Sequence, residues 1–104
     1  MENILVGHHD TDVLYLIDFG LTYTYLDEQG AHIKKKQLYK FSGNFNFAAL
    51  NSCRGFNKSR RDDIESAFYV LIYLINNQTL PWSNFDKQFK DTNMDFTDFL
   101  RERL

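Results

Sequence analysis

The chain has 104 residues, of which 43% are hydrophobic and 16% aromatic, which is enough for one small domain with an apolar core. The formal net charge of −2 argues against a general nucleic-acid binder, which would carry a strongly basic surface. Cys53 is the only cysteine, so no internal disulfide can form, and we expect an intracellular, reducing environment. We expect no signal peptide and no membrane span, because the longest apolar run, residues 67–75, is too short to cross a bilayer.

The first predicted element is a β-hairpin. Two short apolar segments, residues 4–6 and 13–17, flank a polar stretch with turn-forming residues. This pattern predicts two strands joined by a loop of about five residues. The loop contains His8, His9, Asp10 and Asp12, which could be a metal cluster, although adjacent histidines in a polar turn are more often simply solvated.

Residues 20–46 form a long polar stretch with scattered aromatic residues and no periodicity. A stretch of this length inside a compact domain is usually a functional loop. Lys34, Lys35 and Lys36 lie within it. Such a charge run is most often a solvated surface, and the alternative is a docking patch that attracts acidic substrate segments.

Helices are predicted in the second half of the chain. Residues 47–51 predict one or two helical turns, and Ser59 is a candidate cap for a strong helix over residues 62–76. The body of that helix is apolar on all sides, which predicts a buried central helix. Weaker patterns predict a short helix at residues 85–90 and another over residues 95–104, with Phe96, Phe99, Leu100 and Leu104 on one face. The fold class is therefore mainly α with a small β-hairpin (α+β), built around a buried central helix.

The central helix raises a packing question, because a helix that is apolar all round needs neighbours on all sides. The hairpin and the short helices supply too few, so we expect the chain to belong to something larger or to bind a partner. Arg60 and Arg61 lie beside two acidic residues, which predicts internal ion pairs, with an anion-binding role as the alternative. Cys53 is expected to be a packing residue, because no histidine that could activate it lies nearby in the sequence.

One motif in the hairpin region carries chemistry. Asp18-Phe19-Gly20 directly follows the second apolar segment, and Asn3 lies about fifteen positions upstream. An amide followed one strand later by a carboxylate is the order of the metal ligands in a protein kinase. Alone, the motif is weak, since Asp18 could be only the polar end of a strand.

Four further blocks occur in a specific order and spacing: Phe41-Ser42-Gly43, residues 59–66, residues 69–73 and Leu80-Pro81-Trp82. Together with Asp18-Phe19-Gly20 they resemble the C-terminal lobe of the casein kinase I family of Ser/Thr protein kinases. The resemblance runs from Glu2 to about Trp82 and continues more faintly to Leu104. It implies that residues 1–104 are a partial protein kinase domain, a C-lobe fragment in which residues 18–51 are the activation segment and residues 62–76 the central helix.

The resemblance also implies site residues. The family transfers the γ-phosphoryl group of ATP to protein serine and threonine hydroxyls with the help of Mg²⁺. Asn3 and Asp18 would be the metal ligands. With Gly20, which would let the backbone turn away after the metal site, they would form the cofactor-binding residues. Asp63 would give structural support by accepting hydrogen bonds from the backbone of the catalytic loop.

The departures from the family pattern are informative. The catalytic aspartate should lie about five residues before Asn3, so we expect no catalytic residue in the chain. The ATP-gripping N-lobe should also precede Met1, and the chain alone should be inactive. Asn44 replaces a threonine that contacts the catalytic aspartate, Asn46 replaces an arginine that binds substrate phosphate, and Phe68 replaces a glycine.

Two functional hypotheses follow. In the first, the chain is a fragment of a casein kinase I-like Ser/Thr kinase whose partners are a protein substrate and the missing N-lobe. In the second, it is a pseudokinase-type, non-catalytic protein-interaction module that buries its exposed helix surface on a partner protein. Neither hypothesis involves nucleic acid or a membrane.

Overall fold

The computed structural model describes residues 2–38 and 41–83. In chain order these contain strands β1 (Ile4–Val6) and β2 (Leu14–Leu16), a short 3₁₀ helix (Phe45–Phe47), and helices α1 (Leu50–Cys53) and α2 (Arg60–Ile75). The predicted combination of a hairpin with helices is confirmed. The helices predicted at residues 85–90 and 95–104 lie outside the described residues.

The two strands form an antiparallel hairpin in which Ile4 pairs with Leu16 and Val6 pairs with Leu14. Beyond the strands, the Gly7 N–H donates to the Val13 carbonyl at 2.8 Å and closes a loop of residues 8–12. A side chain at Gly7 would collide with the backbone of that loop, which explains the glycine. The predicted hairpin and the predicted length of its loop are both confirmed.

The long aperiodic stretch is ordered by side-chain hydrogen bonds to the backbone together with two isolated antiparallel bridges, Leu26 with His32 and Gln37 with Phe56. The Asn57 side chain accepts the Lys36 N–H at 2.7 Å and donates to the Lys34 carbonyl at 3.0 Å. The Asn57 N–H also donates to the Lys36 carbonyl at 3.0 Å. Asparagine can make such a double contact because its amide carries both a donor and an acceptor. The lysine run is therefore fixed against the residues that precede α2.

Helix α2 begins with a capping arrangement at Ser59. The Asp62 carboxylate accepts the Ser59 N–H at 2.7 Å, which satisfies a backbone donor at the helix start. Asp62 is only 2% exposed. The helix ends at Ile75, and the Asn76 N–H donates to the Ile72 carbonyl at 2.8 Å. No helix in residues 2–38 and 41–83 combines the length and the apolar character needed to cross a membrane.

The prediction of a buried central helix is wrong for this chain by itself. Asp62 is the buried residue of α2, and large apolar side chains of the helix are between 46% and 84% exposed: Ile64, Phe68, Leu71, Ile72, Leu74 and Ile75. The 3₁₀ helix and α1 pack against α2, but they are too short to surround it. Within residues 2–38 and 41–83, α2 therefore lacks the neighbours on all sides that its apolar pattern calls for.

The core is small and lies on one side of α2. Its buried apolar residues are Ala49, Cys53 and Leu80. Aromatic rings extend it, since Phe47 packs edge-on against Tyr73 at 5.3 Å and Tyr69 packs against Trp82 at 5.0 Å. Such edge-to-face pairs stabilise a core beyond the area they bury.

We expect the isolated chain to self-associate and to bind a hydrophobic dye, because α2 and the hairpin expose apolar surface that a stable monomer rarely shows. Sedimentation velocity and dye fluorescence measure both effects. The double substitution of Phe68 and Ile75 by lysine should reduce association, since these positions are 60% and 84% exposed. A monodisperse wild-type monomer with a sharp two-state thermal transition would contradict the expectation.

Candidate functional site

The hairpin brings the two predicted metal ligands to the same end. The Ile17 N–H donates to the Asn3 carbonyl at 2.9 Å, which continues the strand pairing one step beyond β1 and β2. Asn3 therefore lies opposite Ile17, the residue directly before Asp18. Both Asn3 and Asp18 are exposed. The hairpin register thus joins the backbones of Asn3 and Ile17, and Asp18 follows Ile17 directly in the chain.

Asp18 has an unusual backbone conformation. Its φ angle is +63°, in the left-handed region that residues other than glycine seldom adopt. Aspartate tolerates this region better than most residues, because its short side chain can hydrogen-bond locally. Here the carboxylate accepts the Gly20 N–H at 3.1 Å. Strained conformations of this kind cluster at functional sites.

Gly20 lies directly beside the Asp18 carboxylate. Positive φ angles occur at other described glycines, Gly30, Gly43 and Gly55, whereas Gly20 is not among them. A Cβ atom at Gly20 would lie 3.2 Å from the Asp18 carboxylate oxygen, so the glycine leaves room beside it. The role of Gly20 in the site stays a prediction.

Asp18 and Asp63 line one cavity of about 230 Å³, together with Tyr23, Lys58 and Arg60. Asp63 belongs to the first turn of α2 and is exposed. The structure thus brings together two of the predicted site residues from distant parts of the chain.

Lys58 and Tyr23 fix the wall of this cavity, and the sequence analysis missed both. The Tyr23 hydroxyl donates to the Lys58 carbonyl at 2.7 Å and accepts the Lys58 N–H. The Lys58 ammonium donates to the Ser42 carbonyl at 2.7 Å. The contact of Lys58 with Tyr23 joins residues 35 positions apart, and its contact with Ser42 joins residues 16 positions apart. No local sequence pattern predicts contacts between such distant residues.

Asn44 and Asn46 have local structural roles. The Asn44 side chain caps the 3₁₀ helix by accepting the Asn46 N–H at 3.0 Å, and the Asn46 carbonyl accepts the Trp82 indole N–H at 2.9 Å. The Asn46 side-chain oxygen is buried and has no hydrogen-bond partner among the described residues. Asn46 therefore faces the interior, and its amide supplies no charge for an anion.

Glu65 links α1 to α2. One of its carboxylate oxygens accepts the Leu50 N–H at 2.9 Å, at the start of α1, and the Tyr69 hydroxyl at 2.6 Å. The hydrogen bond to Glu65, followed by burial and the negative charge of Glu65, raises the pKa of Tyr69 to about 12. The neutral form of Tyr69 is thus favoured in the folded chain.

We expect the Tyr69 contact to be lost at high pH. Because the pKa is raised from 10.0 to about 12, the stabilisation is complete below pH 10 and disappears as the pH rises to about 12. Tyr69→Phe should cost about 1.5 kcal/mol at neutral pH, the value of a hydrogen bond to a charged group. Urea unfolding followed by Trp82 fluorescence measures both effects. An unchanged pH dependence in the variant would contradict the assignment.

Cys53 is a packing residue, as predicted. It is 4% exposed, and its thiol lies 3.9 Å from the Ala48 carbonyl. Burial raises the pKa of the Cys53 thiol to about 11, the charge of Glu65 adds to the effect, and Lys58 partly offsets it. A thiol with such a pKa is a poor nucleophile at neutral pH, because the thiolate is the reactive form.

We expect Cys53 to react slowly with iodoacetamide. A pKa raised by two units lowers the thiolate fraction at pH 8 by about 100-fold, and burial slows access further. Mass spectrometry of the alkylated chain, compared with a cysteine peptide, measures the rate. Urea should restore the peptide rate, whereas fast reaction of the folded chain would contradict the burial.

The predicted metal alternative in the hairpin loop can be described directly. His8 and His9 pack edge-on at 4.9 Å and are exposed. Within residues 2–38 and 41–83, no group of three or more histidine, cysteine or acidic residues is arranged to hold a metal ion.

Comparison with known proteins finds a similar kinase. No protein-family model matches the chain. A probable casein kinase I homolog of Encephalitozoon cuniculi is 42% identical over 81 residues, which cover 78% of this chain and 24% of the relative. Over most of its length the chain is therefore similar to a protein kinase of the casein kinase I family. It spans about a quarter of the length of that relative.

Proposed function

We propose that the chain is a C-lobe segment of a casein kinase I-like Ser/Thr kinase, which transfers the γ-phosphoryl group of ATP to protein hydroxyls. Asn3 and Asp18 are its metal-binding pair. The observation that carries the proposal is the Ile17–Asn3 backbone hydrogen bond, which makes Asn3 a neighbour of Asp18 at the open end of the hairpin. The 42% identity to a casein kinase I homolog supports it.

The donor atoms of this pair fit Mg²⁺. The ion prefers oxygen ligands and is usually held by one or two protein groups, with phosphates and water completing the shell. Asn3 offers an amide oxygen and Asp18 a carboxylate, and both are exposed. The Gly20 N–H orients the Asp18 carboxylate. Bound Mg²⁺ would neutralise charge on the phosphates of ATP.

The remaining parts take roles consistent with this assignment. Residues 18–51 serve as the activation segment. The hydrogen bonds of the Asn57 side chain to the backbone of Lys34 and Lys36 fix the path of part of that segment. Asp63 accepts hydrogen bonds from the catalytic-loop backbone, a role that suits an exposed carboxylate sharing a cavity with Asp18. The exposed apolar face of α2 packs against the rest of the lobe, which makes residues 62–76 the central helix.

We expect the 104-residue chain to show only background transfer from radiolabelled ATP to casein. Phosphoryl transfer depends on positioning and electrostatic stabilisation, and the chain carries neither the Gly-rich loop nor the catalytic aspartate. Clear phosphorylation that Asp18→Ala abolishes would refute the claim of intrinsic inactivity.

The metal pair is tested in the longer product, if the gene encodes one. Reading the genomic sequence upstream of Met1 should reveal an in-frame His-Arg-Asp a few codons before Asn3. In that product, Asp18→Ala should lower kcat at least about 100-fold, as loss of an electrostatic group at a reaction centre does. Asp12→Ala, in the hairpin loop, is the matched control and should leave kcat unchanged. Equal losses in both variants would overturn the role of Asp18.

A second candidate function is a non-catalytic interaction module. The observation that favours it is the apolar surface of α2, where Phe68 is 60% and Ile75 84% exposed. Such a surface is suited to binding another protein. An in-frame stop codon directly upstream of Met1 would support this function over the kinase fragment.

A further inference from the structure

A second cavity, of about 360 Å³, lies beside the start of α2. Seven residues line it, and none of them is acidic: His32, Ile33, Lys35, Asn57, Lys58, Ser59 and Arg61. The cavity joins the lysine run to the first turn of the helix. Its composition is cationic, although the chain as a whole carries a formal net charge of −2.

Lys35 is held at the wall of this cavity. Its neighbours Lys34 and Lys36 are bonded through their backbones to the Asn57 side chain, so the backbone of Lys35 is fixed between them. The Lys35 ammonium lies 4.0 Å from the centroid of the Phe56 ring, a cation–π contact. The entropy lost when this side chain binds a ligand is therefore smaller than for a free surface lysine.

The Arg61 guanidinium has hydrogen-bond donors that its ion pair with Asp62 does not use. Its side chain is 65% exposed, and its ion pair with Asp62 is long, at 4.0 Å. The Asp62 oxygen in that pair already accepts the Ser59 N–H at 2.7 Å. The internal ion pair expected from the sequence is present at Arg61, but it is long and leaves most of the guanidinium exposed. That guanidinium can therefore bind an oxyanion through two parallel hydrogen bonds.

We propose that this cavity binds a phosphate-like oxyanion. Arg61 provides bidentate hydrogen bonds, Lys35 provides a point charge, and the Ser59 hydroxyl provides a further donor. Lys58 also lines the cavity, but its ammonium donates to the Ser42 carbonyl. The same chemistry recognises free phosphate or a phosphorylated side chain. Asn46 does not line this cavity, so the site uses other residues than the arginine position that Asn46 replaces.

The test is the reactivity of lysines in the full 104-residue chain at micromolar concentration. An amine-acylating reagent is applied with increasing inorganic phosphate, with sodium chloride at matched ionic strength as the reference. Tandem mass spectrometry then separates Lys35 from Lys34. We expect phosphate to slow acylation of Lys35 in a saturable manner. Lys34, which does not line the cavity, should react at the rate seen in chloride.

A substitution pair sharpens the test. Arg61→Gln should raise the phosphate concentration for half-protection of Lys35 about fivefold, the effect of one nearby unit charge in a solvated site. Lys34→Gln removes the same charge outside the cavity and should leave that concentration unchanged. Equal slowing of Lys34 and Lys35 by phosphate, or equal effects of the two substitutions, would overturn the site, because general screening then explains the data.

The source of the anion is settled by two peptides that differ only by a phosphate on one serine. Protection of Lys35 by the phosphopeptide at a concentration at least tenfold below that of inorganic phosphate identifies a phosphorylated protein segment as the ligand. Equal concentrations identify the free anion, and the cavity remains its site. Equal protection by the unphosphorylated peptide overturns oxyanion recognition. The assay measures binding alone, so its failure leaves the proposed phosphoryl transfer unaffected.

Discussion

Residues 57–59, directly before α2, are the point on which the described structure depends. Asn57 holds the lysine run by its side chain, and Lys58 holds Tyr23 and Ser42. The Ser59 N–H donates to the Asp62 carboxylate at the start of α2. Each of these contacts satisfies a backbone group, although the contacts of Asn57 and Lys58 are exposed. This short polar junction thus organises the long aperiodic stretch together with isolated antiparallel bridges such as Gln37 with Phe56.

The apolar packing of the described residues is less complete than their polar hydrogen bonding. The core contains few buried apolar residues, and it covers one face of α2 while the opposite face stays exposed. Burial of apolar area is the main favourable term in folding. Covering the exposed face of α2 therefore needs polypeptide beyond the described residues, which agrees with a chain that spans 24% of its relative.

The two cavities beside this junction differ in charge. Asp18 and Asp63 line the first together with the cations Lys58 and Arg60, whereas no acidic residue lines the second, which contains Lys35 and Arg61. The first cavity contains one residue of the proposed metal pair, and the second, cationic cavity is the proposed oxyanion site. Because both share residues 58 and 59, the conformation of this short segment determines the shape of each.

The sequence by itself determined the local features: the hairpin with its loop, the start and end of α2 to within two residues, and the family resemblance. Short apolar runs, a capping residue and motifs in a fixed order are properties of the sequence itself, so they can be read without the fold. Only the tertiary structure decided the exposure of α2 and the cavity shared by Asp18 and Asp63. It also decided the hydrogen bonds of Asn57 to the lysine run and those of Glu65 that link α1 to α2. Those features depend on contacts between distant segments. The apolar pattern of α2 records a preference for burial, but which of its faces is covered depends on the neighbours the chain can supply.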